Sequence, residues 1–112
     1  MISAKTARFA IEVHKRRACP SVGEHGSKMD VCFLALAMAG EAGEAANVVK
    51  KAWRDGVDID HEKLAEEIAG TACYLIGLAS AIGINLDGEM RKQMIAFEAR
   101  YERSPQVTEE QS

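Results

Sequence analysis

The chain has 112 residues, 47% of them apolar and 28% charged, and carries a formal net charge of −3. That length holds one domain with no room for a second, and the acidic balance supplies no field that would gather nucleic acid. Aromatics are only 5% of the chain, so an alanine-rich core buries little area per residue. A small domain of that kind is marginal alone, and a homo-oligomer is expected.

The first helix is expected to start after Ser3 and run to about Ala18, with Phe9, Ile11 and Val13 among its apolar positions. Cys19-Pro20 ends it, because proline disfavours helical geometry in the residue before it. Residues 21–26 hold two glycines and read as a loop. Ser27, with Asp30 three positions on, resembles a capping box and opens a long second helix reaching about Arg54. Asp55-Gly56 closes it. Asp58 or Asp60 then caps a third helix from about His61 to Ala81, with Gly83 after it, and Asp87 caps a fourth ending near Arg103. Sustained strand alternation is missing throughout. The expected class is all-α: residues 1–103 form the folded domain, and 104–112 a disordered polar tail.

Three cysteines, Cys19, Cys32 and Cys73, show no metal-ligand spacing. Cys32 and Cys73 stand in apolar runs and are expected to be buried and reduced. The N-terminus has no apolar stretch of signal-peptide type. The apolar run 31–39 is too short to span a bilayer, so the expected location is the cytoplasm, without membrane or nucleic-acid partners.

Within the second helix the polar exceptions are Glu41, Glu44 and Asn47, at i, i+3 and i+6 and therefore on one face. Glu66 and Glu67 precede another apolar run in the third helix. If the two helices pack antiparallel, Glu41 and Glu44 meet Glu67. Clustered carboxylates repel unless a hard cation separates them, and an all-oxygen site suits Mg²⁺ or Mn²⁺. The plainer reading places the third-helix glutamates at its start for the macrodipole and Glu41 and Glu44 at a solvent-facing gap. A di-iron bundle needs Glu-x-x-His pairs, and none of His14, His25 or His61 has a glutamate three positions before it.

Residues 34–47, LALAMAGEAGEAAN, resemble the ExxE signature region of MazG-type all-α nucleotide pyrophosphohydrolases. Residues 64–75, LAEEIAGTACYL, resemble the second signature, an ExxD, and Ile82-Gly83-Ile84-Asn85-Leu86 and Arg100-Tyr101 are similar to later family features. The resemblance implies a four-helix MazG-like bundle assembled as a homodimer or homotetramer. It also implies Mg²⁺-dependent hydrolysis of a nucleoside triphosphate to the monophosphate and pyrophosphate. Carried over by position, Glu41, Glu44 and Glu67 are metal ligands, and Glu44 is the expected base toward water. Lys50, Lys51, Arg54, Lys92 and Arg100 are the expected phosphate contacts, while Trp53 is expected to pack at an interface. Three positions depart from the pattern: Gly70 stands where the aspartate of ExxD belongs, Phe97 replaces a common asparagine, and Gly40 precedes Glu41. The alternative is a helical protein that keeps nucleotide binding or partner interaction without turnover.

Overall fold

Residues 3–19 and 23–103 are described by a computed structural model, and four helices account for nearly all of them. Helix α1 spans Ala4–Ala18, α2 Lys28–Asp55, α3 His61–Ala81 and α4 Leu86–Arg103. Their ends follow local chemistry. The Ser3 hydroxyl accepts from the Thr6 amide (3.1 Å), and Ser27 from the Asp30 amide (3.2 Å). Of the two aspartates expected to open α3, Asp60 does so, accepting from the Lys63 amide at 3.1 Å. Gly56, in the left-handed region (φ 66°), stops α2. At α4 the expectation fails by two residues: Asn85, not Asp87, is the cap, its side-chain oxygen accepting from Gly88 N (3.2 Å). Asp87 lies in the first turn, where its charge complements the helix dipole, and it pairs with Arg91. The expected stop at Pro20 and the expected disordered tail, residues 104–112, lie outside the described residues.

Asp30, whose amide meets the Ser27 hydroxyl, also anchors the interior. Its carboxylate is fully buried and accepts from Lys15 Nζ and from Gly26 N (2.7 Å). Lys15 in turn donates to Glu12, and His25 lies 3.1 Å from the same carboxylate. This buried cluster ties α1 and the residues before α2 together.

Antiparallel packing of α2 on α3 is fixed by which residues meet. Leu34 faces Gly77 near one end, Glu41 lies on Gly70 further along, and Glu44 approaches Glu67. Helix α1 also packs on α3. At Gly77 a Cβ would stand 3.2 Å from Ile11 and 3.4 Å from Leu34, so glycine is what lets three helices meet there. Ile11, Leu34 and Tyr74 form the core, ringed by Phe33, Ala37, Met38, Cys73, Leu78 and Ala81. Tyr74 stands edge-on to both His14 and Phe33, with ring centroids 5.9 and 6.4 Å away. The core is as small as the composition led one to expect.

Helix α4 does not join this packing. The chain turns by 112° between α3 and α4, and Met90, Met94, Ile95 and Phe97 are each more than half exposed. Leu36 (74%) and Trp53 (87%) stand open on α2. The radius of gyration is 17.3 Å, against about 13 Å for a compact domain near this length. All-α class is thus as expected, but within one chain the bundle is three helices with a fourth projecting. Burial also departs from expectation at Cys32, which is exposed, and at Cys73, which is half-buried. Phe9 and Val13 are exposed, and of the three apolar positions expected in α1 only Ile11 enters the core. Helix α2 as a whole is long and apolar enough to cross a membrane by length and composition, although Glu41 and Glu44 stand within it.

Candidate metal centre

Glu41, Glu44 and Glu67 converge from α2 and α3, each offering a carboxylate oxygen, and these oxygens all lie within 4.8 Å of one another. Helical spacing brings the first two to one face, and the antiparallel hairpin brings Glu67 opposite. Glu67 is buried, Glu41 half-buried and Glu44 exposed, so the group opens toward solvent on one side. Glu66 points away, three-quarters exposed, and is no member of the group.

Gly70 has a specific consequence. A Cβ there would lie 2.6 Å from Glu41 Oε2 and 3.1 Å from its Cδ. The Glu41 carboxyl rests directly on the α3 backbone, in space that any larger residue at position 70 would contest. The seating of the Glu41 carboxyl thus depends on glycine at position 70.

The charges respond accordingly. The Glu41 carboxyl is raised above the usual carboxylate range, first by its hydrogen bond with Glu67, then by burial and by the charges of Glu67, Glu44 and Glu66. Glu67 is held below that range by Lys63, whose Nζ lies 2.9 Å from Glu67 Oε1, and by the proton Glu41 shares with it. Lys63 is raised, first by the same hydrogen bond and then by the surrounding carboxylates. One ammonium at the rim, Lys63, faces Glu44, Glu66 and Glu67. An all-oxygen donor set of this kind, partly buried, could hold a hard divalent cation.

The contrast with Glu12, His25 and Asp30 is instructive, since these also have ligand-type spacing. There the buried Lys15 ammonium already sits between the carboxylates, in the place a cation would take, and the role is structural.

Beside the metal-type group a cavity of about 590 Å³ follows the last three turns of α2 to the α2–α3 loop. Glu44, Asn47, Lys51, Asp58 and Lys63 contribute polar groups to it, and Val48, Ala52 and Val57 apolar wall. Of the expected phosphate contacts, Lys51 is placed in this cavity. Lys50 is exposed and does not line it, and Arg54 turns instead to Asp55 (2.8 Å). Lys92 and Arg100 stand on the projecting α4, the former paired with Glu89 and the latter over the Phe97 ring at 4.8 Å. Lys63 was not singled out from sequence, although its place four residues before Glu67 is the usual spacing of a helical ion pair. No protein-family model, curated protein or solved structure matches the chain.

Proposed function

We propose that the chain hydrolyses a nucleoside triphosphate to the monophosphate and pyrophosphate, as the MazG resemblance implies, with Glu41, Glu44 and Glu67 holding Mg²⁺. The observation that carries this reading is the convergence of three under-compensated carboxylates beside a cavity that also presents Lys51 and Lys63. A bound Mg²⁺ supplies charge compensation for the phosphate oxygens and lowers the pKa of water. Lys63 and Lys51 bind the phosphate chain. Glu67, buried and fixed by Lys63, sets the position of the group. Glu44, the most exposed of the three, takes the proton of the attacking water as general base. The water oxygen bonds to the α-phosphorus, the bond to the bridging oxygen breaks, and pyrophosphate leaves with its electron pair.

Pyrophosphate release from a panel of ribo- and deoxyribonucleoside triphosphates with Mg²⁺ tests this, run in parallel on Gly70→Asp. Release from at least one nucleotide is expected for the wild type. In Gly70→Asp the new side chain contests the space of the flexible Glu41 carboxyl, which shifts, so the fold is kept and a further carboxylate is placed beside the group. Silence of the wild type with every nucleotide, together with release by Gly70→Asp, would instead identify a protein that keeps the site and has lost turnover.

The proposal includes a homodimer or homotetramer. Support comes from the apolar side chains of α4 and the open face of α2, too extensive for a chain with so small a core. Sedimentation is expected to give a mass above the 12.2 kDa of one chain, and Ile95→Glu to shift it toward the monomer. A wild-type monomer at all concentrations contradicts this.

A further inference from the structure

The cavity beside the carboxylates changes character along its length. Glu44, Lys51 and Asp55 lie on one face of α2, and from Glu44 to Asp55 the helix rises about 16 Å. At one end the cavity is lined by Glu44, the outermost of the three glutamates, and by Lys63, which pairs with Glu67. At the other it is walled by Val57, Asp58 and Asp60 of the α2–α3 loop together with Asp55 and Ala52. Asp55 is engaged by Arg54, and one oxygen of Asp60 caps α3. Asp58 has no hydrogen bond or ion pair among the described residues.

Resting on the pyrophosphohydrolase reading, we infer that the nucleoside half of the substrate occupies the loop end of this cavity, where Asp58 accepts a hydrogen bond from it and selects nucleotides that carry the matching donor. Several carboxylates at that end repel a phosphate chain, which therefore lies toward Lys63. The neutral nucleoside has flat apolar faces suited to Val48, Ala52 and Val57. A free carboxylate is an acceptor only, so its partner is an N–H or O–H, which we assign to an exocyclic amine of the base or the 2′-hydroxyl of the sugar.

The test is kcat/KM for wild type and Asp58→Ala on matched pairs: CTP against UTP for the amine, and GTP against dGTP for the 2′-hydroxyl. Binding of analogues made non-hydrolysable at the α–β bridge is measured calorimetrically alongside. Because Asp58 is exposed and unpaired, the variant is expected to melt with the wild type. The wild type prefers the donor-bearing member of one pair, and Asp58→Ala lowers that preference by about tenfold to a hundredfold, as for a hydrogen bond to a charged group. The other pair stays unmoved, which tells amine from hydroxyl. Turnover with neither preference dependent on Asp58 overturns the inference and leaves hydrolysis standing. Analogue binding that discriminates through Asp58, without turnover of any nucleotide, overturns hydrolysis alone. If no analogue binds, the inference falls.

Discussion

Glu67→Gln is expected to lower Mg²⁺-dependent pyrophosphate release by at least about a hundredfold, since even residues behind a metal ligand cost 10–100-fold. Glutamine keeps the size and a hydrogen-bonding oxygen, so the buried position stays filled and the helices stay packed. What is lost is the charge. Glu67 is the buried member of the group and the one that binds Lys63. With a neutral amide there, Lys63 loses its 2.9 Å ion pair and is left with Glu66 at 3.9 Å, and the charge that Glu67 sets against Glu41 is gone. The variant should therefore melt near the wild type without divalent ions and gain less from adding them. Full activity in Glu67→Gln would remove the carboxylate group from the mechanism.

The second large effect is on stability. Lys15→Met is expected to destabilise the fold by about 3–5 kcal/mol, the usual result of breaking a buried pair by removing one partner. Asp30 is left buried without its ammonium partner, beside Gly26 N at 2.7 Å and His25 Nδ1 at 3.7 Å. For a domain near this size that corresponds to a fall in Tm of roughly 15 °C or more. Adding Asp30→Leu to Lys15→Met removes the stranded charge and is expected to recover much of the loss. A single-variant cost below about 1 kcal/mol, the range of surface pairs, would contradict the buried lock. The pH window follows from the partners. Burial alone would raise Glu12, but the hydrogen bonds of Lys15 and His25 outweigh it and hold the carboxyl below its ordinary value. Its share of the stability is present above that ordinary value and is lost as pH falls through the lowered one. Burial alone would lower Lys15, but Asp30 and Glu12 outweigh it and raise it. Its share is present below the ordinary lysine value and is lost only as pH rises through the raised one.

Helix limits were legible because each is set by a local signal: Ser3, Ser27 and Asp60 as caps, and Gly56 as stop. The one miscapped helix had two competing polar residues, Asn85 and Asp87, two positions apart. The convergence of Glu41, Glu44 and Glu67 was legible because helical spacing fixes which residues share a face. Other features depend on tertiary contacts that no spacing encodes. Lys15 sits in a run of four polar residues and reads as solvent-facing, yet Asp30 draws it into the interior. Cys32 stands among apolar neighbours but falls on the outer face of α2. The unpartnered state of α4 could not be read from its composition, because an amphipathic helix looks the same whether its partner is in its own chain or another. Gly70 was visible as a departure, while its companion, the Glu41 carboxyl lying on that backbone, emerges only from packing.

The raised Glu41 carboxyl links metal and proton. Its stabilising share in the folded chain is present below the ordinary carboxylate value and is lost as pH rises through the raised one, where the carboxylates crowd unprotonated. A divalent ion bound there would offset that crowding and would have to displace the proton. Calorimetric titration of Mg²⁺ and Mn²⁺ into the wild type and Glu67→Gln, at several pH values above the ordinary glutamate range, is the most direct measurement. The expected result is saturable uptake by the wild type, tightening as pH rises and releasing protons, and largely lost in Glu67→Gln. Uptake that is the same in both proteins, or none by the wild type at millimolar ion, would show that these three carboxylates do not grip a cation.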